Sequence, residues 1–407
     1  MITGGRRRIL ASVSLFHACN DGSGVVLPAI FPLLYTQGTL IRSYSDIGTT
    51  ILVGLIVSVV FQAWVGWAAR PRHSGYWLAL DALIVGISFV LLTGAASFWM
   101  LMIYFVGVRL GTSIFHPVGI SWISHTFAGE DLDHAMGFQS AFGNIGVLVA
   151  FASTGFIAQH AGWKVPLFAW GAVNLAVVAA GLLLARGTTD RQERERQKLH
   201  EREPVSWVAA FLGFRSFIPM MVLGGFAWGV TINYAPSLLN HRLGLSMSAT
   251  GVVMGLWMCA GTISAFFYGK LAERFSRARA LVWAYAVVSI VSFVFGLSGN
   301  IPLTFAAFAL YGIAIFITYP ANLSFISSTV EPRNRTAAFS LASNVMIIGN
   351  SIFSYFSGRI SDAFGIHAPF ILLGVCSVLV LGHLVWMIAT GRIEAPGCRI
   401  IPRLGPH

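Results

Sequence analysis

The sequence predicts an all-α integral membrane protein with twelve transmembrane helices in two six-helix halves that are parallel repeats of each other. Three observations predict it. The 407 residues are 56% hydrophobic, 13% aromatic and only 10% charged, too few polar side chains to coat a soluble domain. Apolar stretches of membrane-crossing length follow one another almost end to end. One ungapped shift of 203 residues (269 minus 66) lays Gly66 on Gly269, Pro117 on Pro320, Gly146 on Gly349, Gly155 on Gly358 and Gly162 on Gly365.

A helix needs about 20 mostly apolar residues to cross a hydrocarbon core of ~30 Å. Such stretches fall at 9–36, 46–69, 76–95, 97–120, 135–160, 164–186, 216–240, 248–272, 279–298, 301–326, 336–362 and 368–390. Runs such as Leu78 to Leu92, interrupted only by Asp81 and Ser88, are apolar without alternation, which argues against a β-barrel. Arg6, Arg7 and Arg8 precede the first stretch as in a secretion signal, but that stretch runs past Asp21 to Pro32 without a small-residue cleavage site, so an uncleaved first helix is expected.

Lys and Arg sort by loop. With the N-terminus inside, the inner segments hold 21 of the 26, from Arg6 through Arg403, and the outer loops hold only Arg42, Lys164 and Arg242. Both termini are therefore expected in the cytoplasm, in a multi-pass cell (inner or plasma) membrane protein. The net charge of +11 follows from this sorting and from attraction to membrane lipid headgroups, so no nucleic-acid partner is needed to explain it. Cys19, Cys259, Cys376 and Cys398 are scattered, with no pair at metal-ligand spacing.

The mixed-charge run Gly187 to Pro204 reads as a solvated linker. The expected organisation is an N-terminal half at 1–186, a cytoplasmic linker at 187–215, a C-terminal half at 216–390 and a cytoplasmic tail at 391–407. The stretch Gly269-Lys-Leu-Ala-Glu-Arg-Phe-Ser-Arg-Ala-Arg279 resembles the loop signature of the major facilitator superfamily, and Gly66-Trp-Ala-Ala-Arg-Pro-Arg-His73 is a weaker copy without the acidic residue. The resemblance implies a conformational role for Gly66, Arg70, Arg72, Gly269, Glu273, Arg274 and Arg277. Asn20-Asp21 with Ala29-Ile-Phe-Pro-Leu-Leu34, Ile114-Phe-His-Pro117, and Gln139-Ser-Ala-Phe-Gly-Asn-Ile-Gly146 resemble the fosmidomycin-resistance group of drug exporters. That resemblance implies proton-driven export of small molecules by a monomer, although the Gly-Pro pair usual in the fifth helix of such antiporters is absent at Gly143-Asn144.

A charge in mid-membrane costs about 2.5 to 3.5 kcal/mol on insertion scales, so each one is a functional candidate. At ~1.5 Å per residue, Asp21 and Arg109 fall near the midplane of the first and fourth helices. Asp21 is a candidate proton carrier, and Arg109 its partner through an ion pair or a shared water site, or an anchor for an anionic substrate; alternatively the two only pin helices together, or Asp21 caps a break near Gly22 and Gly24. His17 lies one turn from Asp21 on the same face and extends a proton path or is an ordinary hydrogen-bonded histidine. His116 counts as two turns from Arg109 and near the end of its helix, where it gates, binds substrate or satisfies a carbonyl freed by Pro117. Asp81 is expected to reach a loop arginine. At the 203 shift Asp21, Arg109 and His116 fall on Gly224, Gly312 and Tyr319, so the charges belong to one half. The other half offers Trp228, Asn233, Tyr234, Tyr311, Tyr319, Asn322 and Asn344 as substrate-binding candidates, an aromatic and amide wall suited to an amphipathic solute.

No phosphate-cradling glycine loop, H-E-x-x-H or cysteine pair is present, so neither an enzyme nor a cofactor site is expected. The function expected is secondary active transport by alternating access, as a proton-coupled exporter (an efflux antiporter) of a small organic molecule. Uptake of an organic anion and export of a divalent metal or a lipid are the alternatives.

Overall fold

The computed structural model describes residues 4–69, 73–127, 130–186, 206–331 and 334–392. Among these the chain is helical throughout, with no strand, and forms twelve crossings. The N-terminal six are Gly4–Gln37, Tyr44–Ala68, Ser74–Leu92, the pair Phe98–Thr112 and Phe115–Thr126, Glu130–Ala161, and Lys164–Ala185. The C-terminal six begin with Trp207–Phe214, a short 3₁₀ turn, Ile218–Ser237 and a π-turn at Leu238–Arg242, all one crossing. Met247–Phe275, Arg277–Leu297, Ile301–Thr329, Arg335–Phe364 and Ala368–Ala389 complete the set. The helix Trp207–Phe214, capped by the Ser206 hydroxyl on the Ala209 N–H (3.2 Å), lies within the segment assigned to the linker. The rest of that linker, 187–205, and the tail from 393, with Cys398, lie outside the described residues, as do Arg70 and Arg72.

Eleven of the twelve are long and apolar enough to cross a membrane on length and composition. The other is the first, 34 residues long but carrying Ser12, Ser14, His17, Asn20, Asp21 and Ser23, most of them buried. Several of its polar groups are paired within the protein: the Ser12 hydroxyl donates to the Gly181 carbonyl (3.2 Å) and the Ser23 hydroxyl accepts from Asn174 Nδ2 (2.9 Å). A helix placed in the middle of a bundle needs partners rather than hydropathy.

The fourth crossing extends six residues beyond its expected end and breaks at Ser113–Ile114, where Ile114 N–H turns back to the Gly111 carbonyl (2.9 Å). Pro117 has no N–H to give the Ser113 carbonyl, and its ring crowds that carbonyl. His116 therefore sits in the middle of the crossing, not near its end.

Packing repeats with the sequence. The first crossing lies on the fifth as the seventh lies on the eleventh, and the third lies on the sixth as the ninth lies on the twelfth. Glycine permits the closest of these approaches. A Cβ on Gly22 would come 2.8 Å from the Gly146 carbonyl oxygen, and one on Gly146 would strike the Ala18 carbonyl. In the other half a Cβ on Gly225 would strike the Met346 carbonyl, and one on Gly349 would come 2.7 Å from that of Val222. Small residues at such positions let backbones meet, which is how helices associate where lipid is as apolar as side chains.

The halves meet across two further seams, the second crossing against the eleventh and the fifth against the eighth. Hydrogen bonds linking the halves, such as Tyr44 N–H to Asp362 (2.8 Å), Ser248 N–H to Gln159 (2.9 Å) and His241 Nε2 to the Pro32 carbonyl (3.0 Å), lie on the face away from the chain ends.

Inserting volume at a backbone contact costs about 1 to 3 kcal/mol. Gly146→Val is expected to lower the unfolding temperature in a thermal scan of detergent-solubilised protein. Gly137→Val, at a position with nothing within 4 Å of the new Cβ, is expected to leave it unchanged.

Candidate functional site

Between the halves, on the chain-end side of the seams, lies a cavity of about 320 Å³. That is at the small end of the range for organic ligands, about 300 to 1,000 Å³. Its N-terminal wall carries Asn20, Asp21, Ser58, Gln62, Phe105, Arg109, Thr112 and His116; its C-terminal wall carries Trp228, Ile232, Asn233, Met346 and Asn350.

Asp21 is the junction of the polar wall. Its Oδ2 lies 3.0 Å from His17 Nε2, and its Oδ1 accepts from Asn20 Nδ2 (2.8 Å) and lies 3.8 Å from His116 Nε2. His17 is buried, stacked on Phe115 with centroids 4.3 Å apart, and its Nδ1 lies 2.8 Å from the Gln139 carbonyl oxygen. A carbonyl only accepts, so Nδ1 is the donor there. That leaves Nε2 facing a carboxylate oxygen, and a 3.0 Å contact of this kind holds one proton, on the imidazole as an ion pair or on Asp21 as a neutral pair. His116 is half-exposed to the cavity and edge-on to His17, with centroids 5.7 Å apart. The order from the cavity inward is His116, Asp21, His17, then the Gln139 carbonyl.

Arg109 is held differently. Its Nε donates to the Ser58 hydroxyl (3.0 Å), and Gly54 makes room for its stem, since a Cβ there would come 2.8 Å from Arg109 Cγ. No carboxylate among the described residues lies within 4.0 Å of its guanidinium. The expected Asp21–Arg109 ion pair is therefore not formed: both line one cavity, and Asp21 is taken by imidazoles. Asp81 does not reach a loop either. It is buried in the third crossing, with its Oδ1 unpartnered.

Of the expected C-terminal residues, the structure brings Trp228 and Asn233 to the cavity. Trp228 leads an aromatic group with Trp257 and Phe316, at centroid distances of 5.4 and 5.8 Å. Tyr234, Tyr311 and Asn322 are buried away from it, their groups bonded to the Ser354 carbonyl, the Ala227 carbonyl with Thr231, and Tyr285. Tyr319 and Asn344 are exposed outside the cavity wall. The sequence reading missed Asn20, Ser58, Gln62 and Asn350. Gln62 carried a signal, as a lone amide in the apolar run from Ile51 to Trp67. In the loop motif Gly66 touches Pro117 (4.0 Å from its would-be Cβ), Arg274 lies over the Phe275 ring (5.5 Å), and Glu273, Arg277 and Gly269 lie at the exposed junction of the eighth and ninth crossings. Glu273 makes no ion pair among the described residues.

Two repeated helical halves around a polar central cavity define a multi-pass membrane transporter. The comparisons give the family. The sequence profile described as Major Facilitator Superfamily matches residues 13–346 and 217–397, and the chain belongs to that superfamily. It is 24% identical over 400 residues to the uncharacterised MFS-type transporter YfnC of Bacillus subtilis, covering 94% of this chain and 93% of that one. To the fosmidomycin resistance protein of Escherichia coli it is 22% identical over 276 residues, 68% of this chain and 67% of that one. Among solved structures, a bacterial homologue of the human lysosomal transporter Spinster, inward-facing and unoccupied, superposes with a TM-score of 0.76 at 18% identity over 98% of this chain and 100% of that chain. The nucleoside transporter NupG superposes with a TM-score of 0.76 at 14% identity over 95% of this chain and 99% of that one. As a member of the superfamily the protein carries a small-molecule substrate and is not an enzyme.

Gly143 faces the His17–Asp21 contact directly, for a Cβ there would come 2.7 Å from His17 Nε2 and 2.8 Å from Asp21 Oδ2. Gly143→Ala is expected to force the pair apart and to cut the rate of substrate transport in proteoliposomes by about tenfold or more, the size of a lost charge-assisted hydrogen bond of roughly 1.5 to 3 kcal/mol. The assembled fold, read by gel filtration, is expected to persist.

Proposed function

We propose that the protein is a proton-coupled exporter of a small organic anion, working by alternating access in the cell membrane with both termini cytoplasmic. The carrying observation is the His17–Asp21 contact, whose geometry requires one proton at mid-membrane and which His116 connects to the cavity. The unpaired guanidinium of Arg109, fixed by Ser58 through Nε alone, supplies the anion's counter-charge. Trp228 on the opposite wall receives an apolar or aromatic part of the solute. With the termini inside, the closed seams face outward and the cavity faces the cytoplasm, the loading side for an exporter.

The cycle follows from the two charges. A substrate anion settles between Arg109 and His116. When the halves rock and expose the site outside, the anion leaves and a proton refills the imidazole–carboxylate contact. The return stroke then delivers that proton to the cytoplasm. The likeness to the fosmidomycin resistance protein supports the export direction. Uptake of an organic anion with protons is the second reading, because the free guanidinium serves an anion in either direction. Divalent-metal export is less well supported, since both ring nitrogens of His17 are engaged, by Gln139 and Asp21. Membrane lipids remain the surrounding solvent in either case.

The test is proton movement in proteoliposomes with a pH dye inside and a panel of phosphonates, carboxylates, neutral lipophilic drugs and divalent metals outside. The expected result is a flux driven by anions alone, abolished in Asp21→Asn and lost for anions in Arg109→Gln. A flux unchanged in Asp21→Asn, or one driven by neutral solutes and insensitive to Arg109→Gln, overturns the proposal. The sign of the pH change separates exchange from co-transport.

A further inference from the structure

On the face away from the chain ends, the two seams between the halves are copies of each other at the level of single atoms. A Cβ on Gly358 would strike the carbonyl of Tyr44, and one on Gly155 would strike that of Met247. These positions are related by the repeat, since 358 − 155 and 247 − 44 both equal 203. Likewise a Cβ on Gly48 would come 2.9 and 3.0 Å from the carbonyls of Tyr355 and Ser354, and one on Gly251 would come 2.5 Å from that of Phe151; 251 − 48 and 354 − 151 are again 203. Each seam is thus a glycine-to-carbonyl contact in both directions.

The residue that closes each seam breaks the symmetry. At the end of the eleventh crossing, the Asp362 carboxylate accepts from the N–H groups of Tyr44 (2.8 Å) and Ser45 (2.9 Å) and from the Ser45 hydroxyl. Those two N–H groups open the second crossing, where the helix dipole favours negative charge. The repeat-related position in the fifth crossing is Gln159, whose amide oxygen accepts one bond, from the Ser248 N–H (2.9 Å) at the start of the eighth. Ser45 and Ser248 are themselves 203 apart. One latch is therefore ionic with three bonds and the other neutral with one, on otherwise equivalent backbones.

Asp362 is also dispensable for the helix it caps. The second crossing has its own cap within the N-terminal half, where Ser43 accepts from the Asp46 N–H (3.1 Å) and Asp46 accepts from those of Ser43 (3.1 Å) and Arg42 (2.8 Å). What Asp362 adds is a bond between the halves.

We propose that Asp362 and Gln159 are paired latches of unequal strength that set the balance between the closed and open forms of this face, with Asp362 the dominant one. The proposal holds for either direction of transport and for any substrate, because the latches lie outside the cavity.

The test is a distance distribution between spin labels at Thr39→Cys and Gly299→Cys, exposed loop positions on this face in opposite halves, in lipid nanodiscs. The native cysteines are replaced by serine in the full-length protein. Asp362→Ala is expected to raise the ratio of long to short distances about 5- to 30-fold, the effect of one or two kcal/mol. Asp362→Asn, which keeps an acceptor but loses the charge, is expected to fall between it and the parent, and Gln159→Glu, which gives the second seam a charge at a helix N-terminus, to shift the ratio the other way. A distribution unchanged in both Asp362 variants overturns the proposal, as does a shift toward long distances in Gln159→Glu. The glutamate variant removes no contact, so it decides the matter even where Asp362→Ala fails to fold.

Discussion

Asp21 lies halfway along a helix that crosses an apolar slab, and its carboxylate there must be matched by a proton or a cation. The chain meets that constraint with His17 one turn earlier, and the Gln139 carbonyl fixes which imidazole nitrogen carries which role. Much of the architecture serves that contact. The first helix carries a polar stretch from Ser12 to Ser23 that must be buried, so it packs on the fifth, seventh and sixth crossings. Gly143 and Gly146 let the fifth helix come close enough for the Gln139 carbonyl to reach His17. The break above Pro117 brings His116 to the other carboxylate oxygen.

The two halves share a backbone plan and divide the chemistry. Glycine contacts within and between halves recur at one spacing, so the scaffold and its seams are symmetric. The charges are not: Asp21, Arg109 and His116 stand on one wall, with His17 behind Asp21, and Trp228, Asn233 and Asn350 face them from the other. In the proposed cycle a symmetric frame that rocks holds an asymmetric site, with one wall managing the proton and the anion and the other receiving the apolar part of a solute. The unequal seams extend this pattern to the face away from the chain ends, where a charged and a neutral acceptor occupy equivalent positions.

The crossings, the two-fold repeat and the identity of the charged residues were legible in the sequence because each depends on hydropathy, spacing or cost in a membrane. The contacts among those charges were less so. Spacing along a helix placed His17 beside Asp21 correctly, since both lie on one uninterrupted helix. It misplaced His116, whose register to Arg109 assumes a straight helix that Pro117 interrupts. Which of Arg109 and His116 meets Asp21 depends on rotation between helices, and no single-helix pattern encodes that. The same limit applies to Asp81, which turns inward instead of reaching a loop, to Asn344, whose helix lines the cavity with Met346 and Asn350 instead, and to Tyr319, whose helix contributes nothing to the cavity wall.

The claim at the centre of this account is that the His17–Asp21 contact holds one exchangeable proton that the transported anion controls. Histidine-nitrogen NMR of the protein in lipid, with His17→Gln used to assign its signals, tests this directly. The account predicts that His17 Nδ1 stays protonated throughout, and that the proton at the Nε2–Asp21 contact exchanges in response to a transported anion but not in Asp21→Asn. A His17 ring unprotonated at Nδ1, or a spectrum indifferent to both substrate and the Asp21 substitution, would contradict it.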